Sequence, residues 1–233
     1  MSFKTNNYQI IRGAISKELA NFVYKYFLLK RQVHNTFREW NYITRFNSDW
    51  GIPGDGQCPK AYSHFADIAM ETLLTEVQPR IEQESGVKLI PTYAYARIYG
   101  KGDILKKHKD RFSCEISTTL NLGGDLWPIY IEPNKEVGKI KDGKYQMGKT
   151  QGIKVDLEPG DMLMYRGCEL EHWREIFLGK DCAQVFLHYN DADTNSKYSK
   201  FVNPLEIDAE KNQYDGRVHL GLPSWFKRAK EDR

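Results

Sequence analysis

The chain has 233 residues, 34 basic and 31 acidic, with a formal charge of +3 spread along its length. That is enough chain for one large domain with a substantial core; the slight charge excess gives no strong nucleic-acid signal, and 13% aromatic residues argue against disorder. The longest apolar run, "FVYKYFLL", is broken by Lys25 and is too short to cross a membrane. The N-terminus "MSFKTNNYQI" lacks a signal-peptide pattern, so a soluble, cytoplasmic protein is expected.

In chain order, "YQIIRGAI" reads as a short strand. Ser16 is a good N-cap for a helix that carries Leu19, Phe22, Val23, Tyr26 and Phe27 at helical spacing. Residues 47–60, "NSDWGIPGDGQCPK", form a turn-rich loop. Its Trp50 and Ile52 are apolar anchors, and an aromatic tip with flanking glycines fits a substrate lid. Ser63 is expected to cap a second helix through Phe65, Ile68, Ala69, Leu73 and Val77, which Pro79 and Gly86 weaken and end. From residue 89 the texture changes to short β-branched and aromatic runs separated by turn residues: "LIPTYAYARIYG", "CEISTTLNL", "WPIYIEP", "GIKVDLEP", "DMLMYR" and "AQVFLHYN". Residues 132–153, rich in lysine and glycine, are too polar for a core and are expected to project outward. Beyond Asp191 the chain is polar and irregular, closing in "LGLPSWFKRAKEDR", a candidate short terminal helix. The expectation is one mainly β domain over 1–233: helical support over 1–88, a barrel or jelly roll over 89–190, and a packed tail over 191–233.

Cys58, Cys114, Cys168 and Cys182 form no C-x-x-C pair, so a structural zinc site is not expected and the thiols are read as reduced. The chemistry-bearing stretch is "LKKHKDRFSCEISTTLNL" (105–122). His108 and Asp110 are two apart, so at a strand end they point to one face. They read either as a metal pair or as part of a solvated charge run. Of the other histidines, His34 and His64 lie in the helical half and His219 in the tail. His188 reads as a core histidine. His172 follows the strand "DMLMYR" and a loop, where a site can stay open. Two histidines and one carboxylate on one face form the facial triad of non-haem Fe(II) oxygenases, which leaves positions for a chelating co-substrate and O₂.

The stretches "YARIYGKGDILKKHKDR", "STTLNLGG", "GDMLMYRG" and "HWREIFLGKDCAQVFLHY", in that order, resemble the Fe(II)/2-oxoglutarate-dependent dioxygenases, most closely the prolyl-4-hydroxylase-like branch. The resemblance covers roughly residues 90–190. It implies a double-stranded β-helix (jelly-roll) core and an oxidoreductase that hydroxylates a peptidyl proline or another small or peptide substrate with O₂. In this family 2-oxoglutarate is converted to succinate and CO₂, with ascorbate as an optional addition. It also implies His108, Asp110 and His172 as iron ligands, with Tyr99 and Thr119 beside the co-substrate. The family's usual basic anchor, nine or more positions after the distal histidine, meets Asp181 here. Lys180, one residue earlier, shares strand parity with Cys182, Gln184, Phe186 and His188 and is the first choice, with Arg174 and Arg97 as rivals. Two other readings stay open: a cupin-like metal enzyme without 2-oxoglutarate, and a non-catalytic jelly-roll binding module.

Overall fold

The computed structural model describes residues 3–44, 46–141, 144–193 and 219–223, so the expected terminal helix lies outside the described residues. The helices are α1 (Phe3–Asn6), α2 (Lys17–Glu39) and α3 (Ile68–Ser85). The strands are β1 (Tyr8–Ile11), β2 (Ile52–Pro53), β3 (Tyr62–Phe65), β4 (Leu89–Gly100), β5 (Leu105–His108), β6 (Ile116–Gly124), β7 (Ile129–Ile131), β8 (Lys139–Lys141), β9 (Lys144–Gln146), β10 (Ile153–Val155), β11 (Met162–Arg166), β12 (His172–Arg174) and β13 (Asp181–Asp191).

Helix α2 starts where its cap predicts: the Ser16 hydroxyl accepts from Leu19 N at 3.1 Å. Its buried stripe is Ala20, Val23, Phe27 and His34, while Leu19 and Phe22 face outward. Ala20 lies in that seam against the sheet, and Phe27 is fully enclosed, a burial that contributes about 2–3 kcal/mol.

The expected start of the second helix at Ser63 is corrected. Tyr62–Phe65 are strand β3, paired with Tyr95–Ile98 of β4. Ala66 takes a left-handed φ of 58° and turns the chain. Asp67 then caps α3 through Met70 N at 3.1 Å. The same carboxylate receives Tyr26 Oη at 2.7 Å, His64 Nδ1 at 3.1 Å and the Lys30 ammonium, which ties α2 to the start of α3. Burial opposes its charge, but these partners outweigh burial and hold Asp67 far below the usual carboxylate range. Pro79 sits inside α3, and Gly86 ends it in a left-handed C-cap at φ 69°.

Two antiparallel sheets enclose the core. The larger has strand order β1-β11-β6-β13-β4-β3-β2 and the smaller β10-β7-β12-β5. Parity divides β13 as the sequence suggests. Ala183, Val185 and Leu187 join the apolar cluster under α2 and α3, with Ala94, Ala96 and Ile98 of β4 and Leu120 and Leu122 of β6. The alternate positions, among them Gln184, Phe186 and His188 of β13, Tyr95 and Arg97 of β4, and Thr119 of β6, turn to the other face. The helices therefore plug one side of the large sheet. The space between the sheets holds these polar and aromatic groups beside a second apolar cluster that includes Ile129, Ile131, Val155 and Leu163.

Candidate metal centre

His108 ends β5 and His172 opens β12. The two strands pair antiparallel with these residues as direct partners, which puts the rings 4.2 Å apart between centroids. Asp110 lies two residues past the end of β5, and its N–H donates to Gly167 O at 2.8 Å. Its Oδ1 sits 3.7 Å from His108 Nε2 and 3.5 Å from His172 Nε2. One donor atom from each of the three residues falls within 4.8 Å of the others.

The tautomers follow from the backbone. His108 Nδ1 lies 2.7 Å from Lys106 O and His172 Nδ1 lies 3.0 Å from Leu170 O, so each Nδ1 carries the proton and donates to a carbonyl. Each Nε2 lone pair is left facing the carboxylate, as a metal requires. Burial, and next the neighbouring His172, push the His108 pKa down to about 4, so the imidazole is neutral at pH 7. Burial works against the Asp110 charge, but His172, His108 and His188 outweigh it and hold the carboxyl below its usual range. Two imidazole nitrogens and one carboxylate suit a divalent transition metal, so the donor set fits iron.

The second oxygen of Asp110 is also held. Ser117 Oγ donates to Oδ2 at 2.7 Å and lies 3.0 Å from His188 Nδ1. A hydroxyl has one proton, so Ser117 accepts from His188 while it donates to Asp110. Tyr165 packs on His172 with centroids 4.6 Å apart, and His188 packs on Tyr93 at 4.7 Å. The sequence does not single out Ser117; His188, read as a core histidine, is buried and hydrogen-bonded. Strand parity with Thr119 puts Ser117 on the interior face but does not name its partner.

The triad opens on a cavity of about 380 Å³, lined by Phe65, Tyr93, Tyr95, Phe186, Arg97 and Arg111 among others. Gln57 reaches it from the 47–60 loop. That loop is fastened at Asp55, which pairs with Arg97 and accepts from Tyr95 Oη at 2.9 Å. Trp50 is not over the metal site: it packs edge-on against Phe37 of α2 at 5.2 Å.

The candidate co-substrate residues separate into two groups. Arg174, Thr119 and Tyr99 lie together in the barrel interior. Arg174 is 1% exposed. Its Nη2 donates to Thr119 Oγ1 at 3.3 Å, its Nη1 to Trp127 O, and its Nε has no partner. Thr119 in turn donates to Gln184 Oε1 at 3.1 Å. Tyr99 is fully buried against Trp127, and its hydroxyl lies 3.5 Å from Arg97 Nη1. No carboxylate among the described residues pairs with Arg174, whereas Asp55 takes up the charge of Arg97. Lys180 is not brought to the site. It is exposed in the turn before β13, where its backbone N–H donates to Asp125 Oδ2 at 2.6 Å, and its side chain borders a groove along α2. The expected parity begins only at Asp181, where the strand does.

The sequence matches no protein-family model and no curated relative. Solved structures do match. A Pseudomonas putida prolyl-4-hydroxylase aligns over 81% of this chain and 95% of its own, with TM-score 0.53 and 12% identity. The epimerase SnoN, in complex with Fe³⁺, alpha ketoglutarate and nogalamycin RO, aligns over 82% and 81% with TM-score 0.56 and 13% identity. A Trichoplax adhaerens prolyl hydroxylase, bound to a hypoxia inducible factor peptide fragment, aligns over 86% and 89% with TM-score 0.51 and 12% identity.

The fold is that of the Fe(II)/2-oxoglutarate oxygenases.

Within this oxygenase fold the expected jelly-roll core is the pair of facing sheets, and the triad sits at the end of the pair that β5 and β12 form. No helix among the described residues is long and apolar enough to cross a membrane.

Proposed function

We propose that the protein is an Fe(II)- and 2-oxoglutarate-dependent dioxygenase that hydroxylates a peptide or small-molecule substrate, a peptidyl proline among the candidates. The observation that carries this reading is the convergence of His108 Nε2, His172 Nε2 and Asp110 Oδ1, with both imidazole tautomers fixed by backbone carbonyls. Iron held there supplies the redox chemistry that couples O₂ and 2-oxoglutarate to oxidation of a substrate C–H bond.

Arg174 is assigned the far carboxylate of 2-oxoglutarate. A buried cation without a carboxylate partner calls for an anion. His172 and Arg174 share a face of β12 at i and i+2, about 6.6 Å apart along a strand, a span suited to a five-carbon diacid. Thr119 and Gln184 complete the polar floor. Tyr93, Tyr95, Phe65 and Phe186 are assigned the substrate, since flat aromatic walls suit a prolyl ring or another apolar side chain and exclude water. Among the similar structures, one holds a hypoxia inducible factor peptide fragment and another nogalamycin RO. Arg97 is assigned to position the 47–60 loop through Asp55.

The test is anaerobic addition of Fe(II) and then 2-oxoglutarate to the purified protein. The expected result is the weak visible charge-transfer band of the chelate, followed by succinate on admission of O₂. A protein that binds Fe(II) but gives neither the band nor succinate is not a 2-oxoglutarate enzyme.

A further inference from the structure

The lysine-rich segment between β7 and β10 does not simply project outward. Its hairpin β8–β9 is exposed, but its stem returns to the outer face of the small sheet behind the two histidines. Gly148 is the point of attachment. Its N–H donates to both oxygens of Glu171, at 2.9 and 3.2 Å, and its carbonyl accepts from Lys107 Nζ at 2.9 Å. Glu171 immediately precedes His172, and Lys107 immediately precedes His108. One residue of the strap therefore holds the neighbours of both histidines.

Further contacts close the unit. Tyr145 Oη donates to Glu171 Oε1 at 3.0 Å. Lys107 Nζ also donates to Thr150 O at 2.6 Å, lies 4.0 Å from the Trp173 ring centroid, and stands 3.9 Å from Glu171 Oε2. Lys109, on the other side of His108, donates to Lys135 O at 2.8 Å. A methyl group added at Gly138 or Gly148 would meet a Glu171 carboxylate oxygen at 2.8 Å, so the strap wraps this side chain closely.

Glu171 is fully buried beneath a strap of mostly exposed residues. A buried carboxylate is costly unless hydrogen bonds surround it, so the strap's donors and this acid require each other. The backbone gives the two ligand strands little support of its own. β5 and β12 share only the pairs His172–His108 and Arg174–Leu105, with an irregularity between them. The spacing of the histidines needs a tie from outside the ladder.

We propose that Glu171 and Lys107, bridged by Gly148 and Tyr145, clamp β5 to β12 and set the separation of the two histidine ligands. Glu171 is then a positioning residue for the metal. This rests on the reading of His108, Asp110 and His172 as metal ligands. Side chains act from the outer face of each strand, because residues adjacent in sequence point to opposite faces. Fixing Glu171 and Lys107 outside fixes His172 and His108 inside.

The experiment uses the full chain and Co(II) as a spectroscopic probe. Co(II) affinity, the ligand-field absorption of the bound ion and the thermal midpoint of the metal-free protein are measured for wild type, Glu171→Ala, Glu171→Gln, Lys107→Met and Tyr145→Phe. Glu171→Ala is expected to weaken Co(II) about ten- to a hundredfold, the usual range for groups that orient ligands, and to shift the ligand-field bands. Glu171→Gln keeps an oxygen acceptor for Gly148 N–H and is expected to recover most of the affinity. The Glu171→Ala/Lys107→Met pair should cost less than the product of its single effects, because both act on one tie. A lowered thermal midpoint with wild-type Co(II) affinity and spectrum overturns the clamp and leaves an ordinary stabilising contact. If Glu171→Ala does not fold, unchanged Co(II) affinity in both Lys107→Met and Tyr145→Phe overturns it instead. If wild type takes up no Co(II), or His172→Ala takes it up equally well, the metal reading itself fails and the clamp with it.

Discussion

His108 and His172 are opposite partners on adjacent antiparallel strands, and each donates its Nδ1–H to the backbone carbonyl two residues before it, Lys106 and Leu170. The repeated arrangement turns both Nε2 atoms the same way, toward Asp110 Oδ1.

Each of His108→Ala, Asp110→Ala and His172→Ala is expected to abolish Fe(II) binding while the far-ultraviolet circular dichroism stays that of wild type. Each supplies one of three protein donors, and the apolar cluster under α2 and α3 contains none of them. Anaerobic Fe(II) titration checks this. Full affinity in any one variant removes that residue from the ligand set.

Arg174→Gln is expected to raise the 2-oxoglutarate requirement by about thirtyfold or more, from loss of a charge-assisted bond worth about 2 kcal/mol. Lys180→Ala is expected to leave that requirement unchanged, since the lysine is exposed in the turn before β13. The concentration dependence of succinate formation reads both. A large effect at Lys180 with none at Arg174 would reverse the assignment.

Ser117→Ala removes the hydroxyl between Asp110 and His188. About tenfold weaker metal binding is expected, at the lower end for groups that orient a ligand. Ser117→Thr, which restores a hydroxyl, should recover part of it. Calorimetric titration with Co(II) distinguishes the two variants. Equal affinity in Ser117→Ala and wild type would show that Asp110 needs no orienting partner.

Asp67 links pH to stability. Its folded pKa is depressed, so its contribution is complete above the unfolded carboxylate value, about 3.9, and is lost as pH falls toward the folded one. Asp67→Asn keeps an N-cap oxygen for α3 but removes the charge that faces Lys30 and His64. A loss of about 3 kcal/mol near pH 7 is expected, as for breaking a buried pair. Urea unfolding should then show a smaller dependence on pH between 5 and 3 in the variant, as Asp67 no longer titrates. An unchanged dependence would assign the acid sensitivity to other carboxylates.

Where a feature depends on neighbours a few residues away, the sequence was enough. The Ser16 cap, the two faces of β13 and the H-x-D pair at the end of a strand are all local, because strand parity and helix caps are set by bonds between close residues. The three metal-ligand candidates were also legible, since few histidines in the chain stand at strand ends. The start of α3 was misread because Ser63 and Asp67 are both good caps. Only the pairing of Ser63 with Arg97 in β4 assigns the first of them to a strand.

The features that remained hidden join residues far apart in the chain. Arg174 reaches Thr119, Ser117 reaches His188, Asp55 takes the charge of Arg97, and Gly148 connects Lys107 to Glu171. None has a periodic signature, because sheet register and loop return create each of these contacts. The sequence by itself determined which residue types could bind a metal and which strand faces would be buried. The tertiary structure alone decided which cation lies buried without a carboxylate and which buried acid fastens the strap, because the charge balance of a buried group depends on the partners that folding brings to it.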